Sequence, residues 1–546
     1  MQRPSPLEVP MSSPFRCKAG LGLALCLSVA LGAEAFANPP AAPVELTPFS
    51  RSVAGAAGRS ELIAQFYADR SYRTLWTGPE DAARREALLT AIAEAPAHGL
   101  PVQRYDASAL IARFRAARTE ADRGRLEVAM TQALLAWAHD LHGGALEPGK
   151  VDPGIKRAVK RLDPRSVLTA FEANPVHFLD SLAPRGPDYA RLMRARLDLE
   201  ATVAAGGWGA AVPAGKLKPG ATGPGFLALR DRLMAMGYLG RSTAASYDAE
   251  VAAAVRSFQT DHGLSPDGVA GEGTIAALNV APEARLKSIL VALERERWLS
   301  IDRGERHIWV NLADFSTRLI DNGKVTFETR SVIGKDSPDQ RTPEFSDEME
   351  YMVINPSWHV PRSITTKEYL PLLQRNPNAA GHLKLIDSRG REVSRGAVNF
   401  NAYNARNFPF SMRQPPSDGN ALGLVKFMFP NQWNIYLHDT PSKSLFDREV
   451  RAFSHGCIRL GRPFDFAYAL LAAQTDDPEG LFQSHLSSGR ESVVRLEKPV
   501  PVHLVYFTAW AGPTGQMNYR DDIYGRDGVI FDALSEAGVV PGAVQG

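Results

Sequence analysis

Near residue 300 the hydrophobic period of this chain changes, and the change restricts its fold class. Before it, apolar residues recur at helical spacing: Leu62, Phe66 and Tyr67, then Leu88, Leu89 and Ile92, then Leu126, Met130, Leu134, Leu135, Trp137 and Ala138. After it they alternate. His307-Ile308-Trp309-Val310-Asn311-Leu312 and Ser316-Thr317-Arg318-Leu319-Ile320 read as paired strands, and Asp321-Asn322-Gly323-Lys324 turns the chain into a third over 325–332. Helices first and strands later, in 546 residues, predict an α+β multidomain protein rather than an alternating βαβ sheet. A net charge of +2 gives no basic face for nucleic acid, so no nucleic-acid partner is expected.

Residues 1–37 have the features of a secretory signal. Arg16 and Lys18 precede an apolar run over 19–31, and Ala35-Phe36-Ala37 offers a small-x-small cleavage site. The run is short for a membrane span, and an uncleaved anchor is the alternative. Cleavage removes Cys17 and Cys26 and leaves Cys457 as the sole thiol. An exported protein with one thiol forms no internal disulfide, so that thiol points to chemistry.

Five further segments follow from the pattern. Residues 45–203 read as a helical region, and 204–225, rich in Gly, Ala and Pro, as a linker. Residues 226–280 read as three short helices: 226–236, a second capped by Asp248 and stopped at Gly263, and a third over 274–278. Residues 281–500 open with a connecting helix over 281–299 and continue as a β-rich sandwich or barrel-like domain. An insertion over 361–423 interrupts it, with a helical piece at 366–373 and a strand at 383–386. It returns just before His438, and a loop that long is expected to act, here as a lid. In 501–546 the stretch 502–508 alternates and is expected at a sheet edge.

Within the β-rich part lies Ser454-His455-Gly456-Cys457-Ile458-Arg459-Leu460, with His438 nineteen positions before the cysteine. Trp433, Ile435 and Leu437 alternate, so His438 is expected at the end of a half-buried strand. An imidazole that takes the thiol proton makes a thiolate able to attack a carbonyl. Gly456 lets backbone N–H groups approach a developing oxyanion. Pro463 suits a first helical position, giving the order strand, cysteine loop, helix. Zinc ligation is the competing use of His and Cys. However, His455-x-Cys457 is too tight for the usual pairs and no second cysteine is available. No Gly-rich phosphate loop is present, so neither metal nor cofactor is expected.

His438, fifteen intervening residues, then Ser454-His455-Gly456-Cys457 and Arg459 resemble the signature of the L,D-transpeptidases, cysteine enzymes that cross-link bacterial peptidoglycan. The resemblance implies Cys457 as acyl-forming nucleophile and His438 as its base. Asp439 would orient His438 through its backbone carbonyl, and the Gly456 and Cys457 N–H groups would form the oxyanion hole. Ser454, His455, Tyr436 and Trp358 fall on the substrate side. Arg459 would steer a substrate carboxylate or, alternatively, serve a structural ion pair.

Leu75-Trp76 and Gly99-Leu100-Pro101 resemble the helical scaffold domain of the long periplasmic members. Tyr247-Asp248, Ser257-Phe258-Gln259, His262-Gly263-Leu264 and Asp267-Gly268-Val269 resemble a peptidoglycan-binding domain, either with a live groove or kept as a spacer. Asn355-Pro356-Ser357-Trp358, Arg413-Gln414-Pro415-Pro416 and Asn420-Ala421-Leu422-Gly423 resemble the long members' insertion and its rim. The implied activity is periplasmic. Cys457 attacks the third residue of a donor tetrapeptide stem, expels the terminal D-alanine, and passes the acyl group to a diaminopimelate amine. Peptidoglycan stems and glycan are the implied partners. A protein amine (outer-membrane proteins), water or a free D-amino acid are other acceptors. A non-catalytic wall-binding scaffold is a reading of a different class. A membrane is a partner only if the signal segment stays attached.

Overall fold

Caps and buried polar anchors set the helical region. The computed structural model describes residues 47–58 and 60–540; the expected signal segment 1–37, with Cys17 and Cys26, and residues 541–546 lie outside them. The long helix Glu120–Gly143 starts at a reciprocal cap between Thr119 and Asp122 and stops at Gly144, whose φ is +87°. Its apolar stripe, Leu126, Met130, Leu134 and Trp137, packs against Leu75, Trp76, Leu88 and Phe171. Glu127 on the same helix is fully buried. It accepts the backbone N–H groups of Leu75, Trp76 and Thr77, which satisfies a carboxylate that burial would otherwise penalise.

Residues 224–278 form a second unit from the helices Pro224–Ala235, Ala249–Asp261 and Glu272–Leu278. Asp248 caps the middle helix, accepting from the Val251 N–H at 3.0 Å. Phe226, Leu229, Leu233, Val251, Val255 and Phe258 share one core. The third helix begins at Glu272 rather than 274, because extended Gly271 is its cap. Thr274 instead turns inward, accepting from Gln259 Nε2 at 3.1 Å.

The β-rich domain has strands β1 Arg306–Asn311, β2 Ser316–Asp321, β3 Lys324–Gly334 and β4 Phe345–Ile354. The insertion, which starts at 358 rather than the expected 361, contributes β5 Trp358–His359, β6 Lys384–Ile386, β7 Glu392–Val393 and β8 Ser411–Gln414. Then come β9 Val425–Met428, β10 Leu437–His438, β11 Ala452–Ser454, β12 Ile458–Leu460 and β13 Ser492–Val505. A last hairpin pairs β14 Ala509–Ala511 with β15 Met517–Tyr519. The main sheet runs β11-β3-β12-β10-β9-β4-β13-β1-β2, and β2 also pairs with β3, so eight strands close on themselves. Ile308, Val310, Met352, Phe427, Leu437, Ile458 and Leu504 belong to the core of this domain.

Four expectations are corrected. The strand before the histidine is only Leu437–His438. Asn431 competes for the preceding backbone: its side chain accepts from the Trp433 and Ile435 N–H groups and donates to the Ile435 carbonyl at 2.7 Å. A strand, β12, separates Cys457 from the helix Pro463–Leu471. The stretch 502–508 is no edge: it belongs to β13, which lies inside the sheet between β4 and β1, so a boundary at 500 cuts a strand. A register shift between Arg495 and Val500, around Glu497-Lys498-Pro499, hides the strand's first half in the sequence. Finally, the insertion is a folded subdomain rather than a loop. It has a four-stranded sheet, β5-β8-β6-β7, and its own core of Val360, Leu370, Leu373, Leu385, Phe400, Phe408 and Met412.

The helix Pro282–Trp298 is buried on every side from Ile289 onward, charged residues included. Glu294 pairs with Arg297 at 2.7 Å and Arg295 with Glu344 at 2.6 Å. Arg526, from the helix Arg526–Glu536, also reaches Glu344, at 3.1 Å.

Candidate active site

Sheet register assembles the site. On β10 and its neighbours, His438 stands opposite Lys426 of β9 on one side and Arg459 of β12 on the other. Directly paired residues point to the same face, so Lys426, His438 and Arg459 form a row across three strands. Tyr436 and Cys457, two positions back on their own segments, continue that face. The face opens into a cavity of about 1230 Å³ lined by Cys457, His438, Tyr436, Lys426 and Arg459. Trp358, His455, Ser454 and the insertion residues Glu368, Tyr369 and Leu422 line it too.

The cysteine turn is held from behind. Gly456 has φ +118°, a conformation that favours glycine. Thr342 Oγ1 donates to the Gly456 carbonyl at 2.7 Å and accepts from the Gly334 N–H at 2.9 Å. Ser454 is buried; its hydroxyl donates to the Cys457 carbonyl at 2.5 Å and accepts from the Gly456 N–H at 3.1 Å. Ser454 therefore shapes the turn from within while also lining the cavity. Of the two N–H groups expected at an oxyanion hole, that of Gly456 is engaged. The Cys457 N–H has no internal acceptor among the described residues.

The Cys457 thiol donates to the Asn434 carbonyl at 3.5 Å. Burial pushes it up to about 11, although Tyr436 and the Arg459 and Lys426 charges act to lower it. Burial, then the Arg459 charge, pushes His438 down to about 3. At neutral pH the resting pair is thus a neutral thiol and a neutral imidazole. His438 Nδ1 donates to the Asp439 carbonyl at 2.5 Å. The Asp439 carboxylate accepts from the Leu424 N–H at 2.9 Å and from Lys443 at 2.5 Å, which fixes that carbonyl in place. Gly423, with φ +62°, is required there, because a Cβ would strike the Asp439 carboxylate.

Tyr436 lies against the sulfur, and burial with the nearby Cys457 raises its phenol well above the usual range. His455 reaches outward, and its Nε2 meets Glu368 of the insertion at 2.7 Å. Trp358 is half-buried on the opposite rim and packs edge-on against Tyr369.

Lys426 is absent from the sequence reading. A lysine between Val425 and Phe427 reads as the polar face of an ordinary strand. Only its pairing with His438, a long-range register, puts it beside the nucleophile. Among the described residues neither Lys426 nor Arg459 has an ion-pair partner. The Arg459 Nε is buried without any acceptor.

Residues 305–480 match the family model described as "L,D-transpeptidase catalytic domain". Residues 222–278 match the family model described as "Putative peptidoglycan binding domain" and 61–195 that described as "Scaffold domain". A Haemophilus influenzae protein named "Putative L,D-transpeptidase" is 30% identical over 239 residues, which cover 43% of this chain and 48% of that one. The chain thus matches about half the length of that relative. Solved L,D-transpeptidases from Xylanimonas cellulosilytica and Stackebrandtia nassauensis are each 15% identical and each cover 54% of this chain. They are matched over 98% and 95% of their own lengths, at TM-scores of 0.17 and 0.20. Among the described residues no helix is long and apolar enough to cross a membrane.

Proposed function

We propose that this protein is a periplasmic L,D-transpeptidase. It forms a thioester between Cys457 and a peptidoglycan tetrapeptide stem, then transfers the acyl group to a diaminopimelate amine. One observation carries the reading: the one thiol among the described residues and an imidazole project from paired neighbouring segments into one large cavity, which also holds two cations with no ion-pair partner among those residues. A thiol that is neutral at rest acts when substrate arrives. Moving the S–H from the Asn434 carbonyl to the second ring nitrogen of His438 lets sulfur attack as its proton leaves. The Cys457 N–H faces the developing oxyanion. The C–N bond then breaks, and the His438 proton goes to the departing D-alanine amine. An incoming amine reverses these steps, and its surplus proton returns through His438 to sulfur. The folded insertion over the cavity keeps the thioester from water.

The reading is tested by mass spectrometry of the full chain with a stem tetrapeptide or a carbapenem. Wild type is expected to gain one adduct, and Cys457→Ala none. An unlabelled wild type would support a wall-binding scaffold instead.

A further inference from the structure

Two cations face the nucleophile without an acid of their own. Lys426 is half-buried, and its ammonium lies 6.0 Å from the centre of the Tyr436 ring. The nearest acidic influence on it is Glu491, whose carboxylate is engaged by the Ser357 N–H. Arg459 is half-buried with an unsatisfied Nε. A buried charge without a partner is costly, so a site that keeps two of them is poised for anions.

Their order in the sheet says which anions. Moving from β12 to β9, the face presents Cys457 with Arg459, then His438, then Lys426. Each step is one strand spacing, about 4.8 Å. A peptide that ends one residue past the bond under attack presents a matching order: carbonyl carbon, amine nitrogen, then the carboxylate one carbon beyond. With the carbonyl at Cys457 and the amine toward His438, the terminal carboxylate lies on the Lys426 side of the cavity, where a long lysine side chain can meet it. Arg459, on the nucleophile's own segment, is left for a carboxylate carried by the acylated residue.

We propose that Lys426 is the carboxylate-reading residue of this site and that it acts in both half-reactions. It first holds the carboxylate of the departing amino acid. It then holds the carboxylate beside the attacking amine of the acceptor. The inference rests on the catalytic reading above and narrows the acceptor it leaves open. In the first half-reaction the S–C bond forms, the C–N bond breaks, and the thiol proton leaves on the amine through His438. In the second the N–C bond forms, the C–S bond breaks, and a proton from the amine returns to sulfur by the same route. The leaving group and the acceptor are therefore one chemical class, an α-amino carboxylate. A protein lysine, whose ε-amine has no neighbouring carboxylate, fits this site poorly.

The test offers the full-length protein a stem tetrapeptide together with D-methionine, D-methioninamide or Nα-acetyl-lysine, and follows exchange products by mass spectrometry. The amide has the less basic amine and is the better nucleophile without the protein, so a preference for the acid must come from the site. Wild type is expected to favour the acid by roughly tenfold to a hundredfold, the range for a hydrogen bond to a charged group. Lys426→Met is expected to bring the acid-to-amide ratio toward one, and Lys426→Arg to restore much of it. Arg459→Met should slow acylation by the donor but keep the ratio. Equal use of acid and amide by wild type, efficient transfer to Nα-acetyl-lysine, or an unchanged ratio in Lys426→Met would overturn the proposal while an adduct on Cys457 kept the catalytic reading. No adduct on wild type would overturn both.

Discussion

Arg295 and Arg526 are deeply buried, and both are surrounded by acids. Arg295 meets Glu344 at 2.6 Å and Asp527 at 3.4 Å; Arg526 meets Glu344 at 3.1 Å and Asp152 at 3.4 Å. Lys426 and Arg459 are less buried and have no ion-pair partner among the described residues; the nearest acid to Lys426, Glu491, acts on it only at a distance. The first group ties the segment around Asp152 to the catalytic domain, where the Lys156 N–H also donates to the Glu344 carbonyl at 2.8 Å. The second lines a cavity. Paired buried charges are spent on architecture, whereas unpaired ones beside a nucleophile await something that binds.

The strongest way to break this contrast is to remove the shared acid. Glu344→Gln leaves two buried guanidiniums undercompensated and is expected to cost about 3–5 kcal/mol in denaturant unfolding. A loss well under 1 kcal/mol would mean that the cluster is no better matched than the cavity pair. The opposite sign is expected for Lys426→Met. Removing an uncompensated, partly desolvated charge should leave stability unchanged or raise it by up to about 1 kcal/mol. Several kcal/mol of destabilisation would make Lys426 structural and end the distinction.

The smallest effect is on titration. Burial and Arg459 hold His438 down at about 3, against an ordinary value of 6.5. An unfolded chain takes up that proton below 6.5 and the folded one only near 3, so this group's contribution to stability is lost as pH falls between those values. Activity should show no His438 inflection between pH 5 and 8. Acylation by a carbapenem should be flat there and rise as pH approaches the thiol's value of about 11. Arg459→Met should move the His438 titration upward when followed by NMR of its ring proton. An inflection near 6.5 in wild type would mean a wetter, less charged site.

Local signals made much of this legible. Asp248 as a cap, the periodic stripe of 126–138 and the His438/Cys457 spacing each depend on residues near one another in the chain. What stayed hidden depends on distant pairing. Lys426 acquires its neighbours only through β9–β10 register, and Glu294, Arg295 and Arg297 look solvent-facing until partners from far along the chain bury them. The insertion's aromatic residues, Phe400, Phe408 and Phe410, are spread among Asn, Arg and Pro, so composition suggested a loop where a core exists. The Gly456 N–H looked free because nothing in Ser454-His455-Gly456 announces that the serine hydroxyl folds back onto it.

The placement of β13 bears on how the protein can be dissected. The family match ends at 480, but the strand that joins β4 to β1 begins at Ser492. A fragment trimmed to the match would lack the stave that completes the ring. It would expose two raw backbone borders, an invitation to self-association rather than a smaller stable domain.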